Sequence, residues 1–316
     1  MAVSREQHRL MYKIAQAYYL ENATQDQIGI RFGLSRIKVS RLLKRARQSK
    51  IVNIQLTPPA NALTDLERAL EVKYGLEEVC IVACDDPDDP AGLARQLGPA
   101  AAECLIRRLT GSEIVGVTWG TTVMAVIDAV PVLAWPDVTV VQMSGGLGPV
   151  GELEHSTRLA SRMAEKLGAR VALLPAPGII SDRRNVRAFR SDRGISQVLD
   201  LAARSSYALV GIGVPSPDSF LMRDGSILSP ADLAELRRAG SVGDIALRFI
   251  DAQGRPVDLE INERIIGLTF EQLRAIRCVI AVAGGTAKFE AIRAALKTGI
   301  PDVLVTDAHT GRFLNG

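Results

Sequence analysis

Two groupings in this 316-residue sequence have residue types and spacings suited to chemistry. The first is basic: Thr24 to Gln48 reads TQDQIGIRFGLSRIKVSRLLKRARQ. Thr24 followed three residues later by Gln27 predicts a capping box and a helix start. Ile28 and Phe32 share one face, Gly33 supplies a chain reversal, and Ser35 caps a second helix. In that helix Val39, Leu42, Leu43 and Ala46 form an inward stripe, leaving Arg36, Ile37, Ser40, Arg41 and Lys44 outward. An apolar stripe opposite a basic, hydroxyl-bearing face is what a helix needs to lie in the major groove of DNA. The expected contacts are Arg36, Lys38, Ser40, Arg41 and Lys44 on base edges and phosphates. Thr24 and Gln25 anchor at the backbone, Ser35 opens the reading helix, and Ile37 meets a thymine methyl or nothing. A merely solvated helix pair is the plain alternative; caps, turn glycine and both stripes agreeing in one short window favour the groove.

The second grouping is three loops rich in glycine and hydroxyls: Trp119-Gly120-Thr121-Thr122, Ser144-Gly145-Gly146, and Gly284-Gly285-Thr286-Ala287-Lys288. Each follows a short apolar run. Glycine lets backbone N–H groups approach a ligand, threonine adds a hydroxyl, and Lys288 adds a full charge, which together suit a sugar phosphate. Tight strand-to-helix turns also use glycine for steric reasons, so each loop alone says little. Arg223, Asp244 and Arg264 either line the mouth of such a pocket or serve as surface charges and salt bridges. Catalysis is poorly supported. Of His8, His155 and His309, only His155, with Glu152 or Glu154, follows a glycine loop, and no paired base and orienter is recognisable.

The elements that must position these groups follow from pattern. Residues 1–56 carry eleven Lys or Arg against three Asp or Glu, so the whole-chain charge of +3 hides a basic head on a mildly acidic body. A first helix from about Arg5 to Leu20, with Leu10, Ile14 and Tyr18 in rhythm, should pack across the other two. Ile51 to Leu56 alternates like a short strand, and Pro58-Pro59 marks a domain boundary. The expected domains are 1–56, which binds DNA, and 57–316, which binds an effector and oligomerises. Leu63, Leu66 and Leu70 predict an amphipathic helix, either a dimer contact or a cap on the body. Beyond it strand-like runs occur at Val79–Ala83, Ile114–Val117, Val138–Met143, Val171–Leu174, Ala208–Ile212, Ile245–Ile250, Val279–Ala283 and Val303–Val305. Short apolar strands alternating with helices mean an α/β fold with a parallel sheet covered on both faces. Ligands in such sheets bind beyond the carboxyl ends of strands, where the glycine loops fall. The acidic turn Asp85-Asp86-Pro87-Asp88-Asp89-Pro90 reads as a solvated loop. Cys80, Cys84, Cys104 and Cys278 lack metal-ligand spacing and read as buried thiols of a reducing compartment. No cofactor or metal is expected. With neither a signal segment nor a membrane span, the protein is expected in the cytoplasm.

The head, with TQDQIGIRFGLSRIKVSRLLKRARQSKIVNIQL, resembles the SorC type of bacterial sugar-responsive transcriptional regulators. So do GVTWGTT, VQMSGGLG, MAEKLGARV, GIGVPSPDS, AGSVGDIALRFID and AVAGGTAKFEAIRAAL, in the family's order and over essentially the whole chain. The resemblance implies a winged or extended helix-turn-helix joined to a Rossmann-like domain similar to sugar-phosphate isomerases. It also implies homo-oligomers, dimers or tetramers, on operators of sugar or polyol catabolism, with a sugar, sugar phosphate or polyol as effector. By motif, Gly120, Thr121 and Thr122 would hold the effector's phosphate, and Gly284, Gly285 and Lys288 would complete the cradle. Arg223, Asp244 and Arg264 would line its variable part. Ser144 stands before Gly145-Gly146 where some relatives have Arg or Lys, which disfavours a bisphosphate or a covalently held aldehyde. The competing reading is an isomerase-like enzyme carrying a DNA-binding head.

Overall fold

The computed structural model describes residues 5–55, 63–146, 154–217, 219, 221 and 227–316, apart from the side chains of 154–156. The chain forms two compact units, Met1–Asn61 and Ala62–Gly316.

The first unit is built from α1 (Arg5–Tyr19), α2 (Gln25–Phe32) and α3 (Arg36–Gln48). Thr24 and Gln27 close the capping box in both directions, with Gln27 N–H donating to Thr24 Oγ1 at 3.2 Å and Thr24 N–H to Gln27 Oε1 at 2.9 Å. Gly33 ends α2 in the left-handed region, φ 66° and ψ 35°, where an L side chain would be strained. Ser35 Oγ then accepts from Lys38 N–H to start α3. Met11, Ile14, Ala15, Ala17, Ile28, Val39, Leu43 and Ala46 form the core between the helices. On α1 the buried face runs through Met11, Ile14 and Ala15, whereas Tyr18 is 36% exposed. The expected stripe Leu10, Ile14, Tyr18 fails because each step of four residues rotates the face by about 40°.

The expected strand at Ile51–Leu56 does not form over its described part, and Leu56 itself lies outside the described residues. Ile51 and Val52 instead both donate their N–H to Ala46 O, folding back to close the head core. A single short strand without a neighbour has no ladder to join.

The second unit is a parallel sheet with helices on both faces. In chain order it contains α4 (Thr64–Tyr74), β1 (Glu78–Val82), α5 (Pro90–Ile106), β2 (Ile114–Val117), α6 (Thr121–Ala129), β3 (Thr139–Gln142), α7 (Glu154–Leu167) and β4 (Arg170–Ala172). There follow α8 (Val186–Ser191), α9 (Arg193–Ala203), β5 (Tyr207–Gly213), α10 (Pro230–Arg238), β6 (Ser241–Ile245) and β7 (Arg248–Asp251). The chain closes with α11 (Glu260–Glu263), α12 (Phe270–Arg274), β8 (Cys278–Val282), α13 (Phe289–Lys297), β9 (Val303–Asp307) and α14 (Ala308–Asn315). Strand order is β1-β9-β8-β5-β2-β3-β4, and every neighbour along it is parallel. On β8, Cys278, Ile280 and Val282 join the core under α5, α6 and α7. The intervening Val279 and Ala281 join the opposite core under α4, α9, α13 and α14. Burial on both faces explains why these strands are apolar throughout.

Two expectations change in this unit. The run Ile245–Ile250 is a hairpin rather than one strand: Ala246 (φ 51°) and Leu247 (φ 68°) turn the chain between β6 and β7. Two successive positive φ values match the twist of a tight hairpin, and Leu247, fully buried, offsets the backbone strain. The acidic turn is not merely solvated: Asp89 caps α5, Asp85 accepts from Gln96, and Asp88 accepts from Thr286 Oγ1.

The tightest constraint in the head is Gly29, whose amide oxygen accepts from Leu34 N–H at 2.8 Å. A Cβ there would stand 2.6 Å from Leu34 O. Gly29→Ala should therefore cost about 1–3 kcal/mol, seen as an early transition in a urea melt followed by circular dichroism. A single unshifted transition would refute the close-approach argument.

Candidate functional site

The two candidate surfaces lie in different units. On the head, α3 exposes Arg36, Ile37, Lys38, Ser40, Arg41 and Lys44 while burying Val39, Leu43 and Ala46. Ser35 is exposed at the helix start, Gln25 is half-buried, and Thr24 is engaged in the capping box. Ile37 is 66% exposed, an apolar side chain ringed by cations. A basic row carrying one bare hydrocarbon has a natural counterpart in phosphates flanking a thymine methyl.

In the second unit the strand order turns back between β5 and β2, and such a switch point is where the carboxyl ends of a parallel sheet lead into diverging loops and leave a crevice for a ligand. Gly120 (φ 138°, ψ 154°) precedes α6, and no side chain among the described residues caps that helix. Its Cβ position is open space, and Thr121 is exposed with Thr122 half-buried behind it. Helix amides left uncapped at a sheet's carboxyl edge are suited to an anion.

Beside this loop, β5 ends against β6, with Gly213 paired to Asp244. A side chain at Gly213 would occupy the position of the Asp244 carboxylate, and one at Gly243 would meet Ala291 Cβ at 2.6 Å. The two glycines let β6 and the carboxylate fit there. Asp244 is 4% exposed; Oδ2 accepts from Leu247 N–H at 3.1 Å, and buried Oδ1 has no hydrogen-bond partner among the described residues. Burial pushes its carboxyl up to about 6, against the opposing pull of the Leu247 amide and the Lys288 ammonium. Lys288 turns inward to donate Nζ–H to Ile212 O at 2.9 Å. Burial lowers its pKa, and Asp244 acts in the other direction. A buried carboxylate oxygen and an ammonium at one strand end can receive the hydroxyls and oxyanion of a polyol or sugar phosphate.

The remaining expected site residues are placed differently. Gly145 N–H donates to Ile266 O at 2.9 Å and Gly146 N–H to Ala176 O at 2.8 Å, so neither amide is free for a ligand. Gly145 is glycine because the Ala176-Pro177 backbone lies where a Cβ would project. Ser144 is 1% exposed and bridges Gly267, its hydroxyl without a partner among the described residues. Gly285 N–H donates to Asp307 Oδ2 at 2.8 Å, and Gly284 packs against the same carboxylate. Arg264 is half-buried and paired to Asp232 at 2.9 Å, the structural alternative for that residue. Arg223 and Glu152 lie outside the described residues, and Glu154 and His155 begin α7 with side chains outside the description. His8 and His309 are exposed. Pattern reading missed Gly213 and Gly243; the repeated glycines of GIG and SVGD were the available signal. Among the described residues no helix is long and apolar enough to cross a membrane, and no group of His, Cys, Asp or Glu is arranged to hold a metal.

A sugar-binding-domain family matches residues 58–314, and sigma-70 region 4, itself a helix-turn-helix, matches residues 13–49. The deoxyribonucleoside regulator of Bacillus subtilis is 32% identical over 312 residues, covering 99% of each chain. The sorbitol operon regulator of Klebsiella pneumoniae is 32% identical over 320 residues, covering 97% of each. The crystal structure of full-length SorC from Klebsiella pneumoniae aligns with a TM-score of 0.75 at 28% identity, covering 98% of this chain and all of that one.

The raised carboxyl of Asp244 gives a signed prediction. Its contribution to stability is fully present below about pH 4 and is lost as pH rises through about 6. Asp244→Asn should flatten the melting temperature between pH 4 and 7 and leave the variant no less stable than the parent at pH 7. A wild-type profile unchanged by the substitution would show the carboxyl to be normally solvated.

Proposed function

The chain belongs to the SorC family of sugar-binding transcriptional regulators, and from that premise we propose how its two surfaces divide the work. It is a DNA-binding regulator of carbohydrate catabolism whose second unit senses a sugar. The observation that carries the finer reading is the pairing of an exposed basic face on α3 with the Asp244–Lys288 corner at the end of β5.

In this reading α3 enters the major groove. Arg36, Lys38, Ser40, Arg41 and Lys44 meet phosphates and base edges, Ile37 packs on a thymine methyl, and Thr24, Gln25 and Ser35 sit at the helix starts along the backbone. The effector, a sugar, polyol or sugar phosphate, lies in the β5/β2 crevice. The amides of Gly120, Thr121 and Thr122 hold its phosphate or an equivalent oxygen, Asp244 Oδ1 accepts from a hydroxyl, and Lys288 gives up the Ile212 carbonyl for the ligand's anionic group. Ser144, buried after β3, offers a hydroxyl rather than a charge, consistent with one anionic group on the ligand and not two. Arg264 supports the wall through Asp232. In this reading the protein works as a homo-oligomer, a dimer or tetramer, in which the effector alters operator affinity by binding one arrangement of paired heads more tightly than another. The ligand is bound and released unchanged.

Arg41→Ala should weaken operator binding by about 1–3 kcal/mol and reduce its salt dependence while leaving effector binding intact. Equal affinity of variant and parent in a gel shift would remove α3 from the groove. For the pocket, a thermal-shift screen of free and phosphorylated sugars and polyols identifies the effector, because a ligand bound to the native state raises Tm by mass action. Lys288→Ala should then weaken effector binding at least roughly tenfold, about 1.4 kcal/mol, with DNA binding retained. An undiminished response, or multiple turnovers of the ligand, would overturn this reading.

A further inference from the structure

Between β4 and α9 the chain carries Arg183, Arg184, Arg187 and Arg190, which neither the DNA-binding face nor the switch-point crevice uses. With Val186, Ser191 and Glu263 they line an open concavity of about 690 Å³. Two of the four are neutralised locally. Arg183 pairs with Glu263 at 3.1 Å and Glu260 at 3.9 Å, and Arg184 pairs with Asp182 at 2.5 Å. Arg187, exposed on α8, has no carboxylate partner among the described residues.

Arg190 is half-buried and among the described residues bonds only to carbonyls, its Nη2 donating to Gly267 O at 2.7 Å and Ile265 O at 3.3 Å. Arg248, 6% exposed, lies behind it and also reaches only carbonyls: Leu268 O at 2.7 Å, Asn262 O at 2.8 Å and Gly267 O at 3.3 Å. Two guanidiniums thus converge on one carbonyl oxygen, and neither has a carboxylate partner among the described residues. Burial lowers the pKa of both; Arg190 lowers that of Arg248 further, while Glu271 acts in the other direction. Carbonyl dipoles offset part of what burying such a charge costs, and an anion in the concavity would offset more.

We propose that this concavity is a second ligand site, separate from the switch-point crevice, which takes the phosphate group of a small metabolite between the guanidiniums of Arg187 and Arg190. Guanidinium forks match phosphate oxygens in pairs, and two arginines without carboxylates match one phosphate dianion. Glu263, the acid that lines the concavity, is paired with Arg183, so the positive charge left for a ligand is that of Arg187 and Arg190, enough for a single phosphate.

The test is a titration of full-length protein with inorganic phosphate at constant ionic strength, read as thermal shift against equivalent chloride. The parent should show a saturable rise in Tm. Arg187→Gln, an exposed substitution, and Arg190→Lys should each weaken the response at least tenfold with unchanged circular dichroism, whereas Lys288→Ala should retain it. Loss in Lys288→Ala with retention in Arg187→Gln would put the phosphate in the switch-point crevice and overturn the proposal. So would a parent response no greater than that to chloride. Finally, if Arg187→Gln lowers affinity for a short duplex as much as for phosphate, the arginines belong to a DNA track and the small-molecule site is wrong.

Discussion

The geometry of the second unit turns on one close approach: β6 lies against the end of β5 with a carboxylate where a side chain of Gly213 would stand. Asp244 has one oxygen engaged by Leu247 N–H, which steadies the positive-φ turn into β7, and the other buried without a partner among the described residues. A buried acceptor in that state carries a desolvation cost that a ligand hydroxyl would remove. Lys288 approaches the same strand end from the loop after β8, so opposite charges reach one point from elements far apart in sequence. Were Gly213 or Gly243 larger, β6 could not sit there, and neither the hairpin nor the corner would form.

Around that corner the glycine loops divide by function of backbone. At Gly120 there is space for a side chain, and among the described residues no side chain caps the helix that follows. At Gly145 and Gly284 the chain has no such freedom, because the Ala176-Pro177 backbone and the Asp307 carboxylate lie where side chains would project. Glycine is required in all three loops for different reasons, a φ of 138° at Gly120 and crowding in the others. Asp307 binds Gly285 N–H, Thr310 Oγ1 and the first amides of α14, so the third loop's rigidity is set by a carboxylate more than twenty residues away.

The head depends on a separate constraint of the same kind. Gly29 allows α2 to pass Leu34 O closely enough that α3 can leave at its own angle, and Gly33 reverses the chain between them. Capping residues fix where each helix begins, so the outward row from Arg36 to Lys44 follows from a helix start at Ser35 and a buried Val39, Leu43 and Ala46. The unit's apolar tail closes its own core instead of forming a strand, since no neighbouring strand offers a ladder.

Local chemistry made much of this legible in the sequence. Caps, helical periodicity and left-handed glycines act within a few residues, so the three head helices and the face that α3 exposes could be read directly. Apolar runs punctuated by loops likewise gave the parallel sheet, and the parallel sheet alone implies a crevice at its carboxyl edge. What the tertiary structure decided concerns partners distant in the chain. Only folding could show that Asp244 and Lys288 share a strand end while Arg264 is held by Asp232, that Gly145 is crowded while Gly120 is open, and that Ala246-Leu247 breaks an apolar run into a hairpin. A residue type records what a side chain is able to do. Which neighbour claims its hydrogen bonds first depends on packing across the fold, and that competition is settled only in three dimensions.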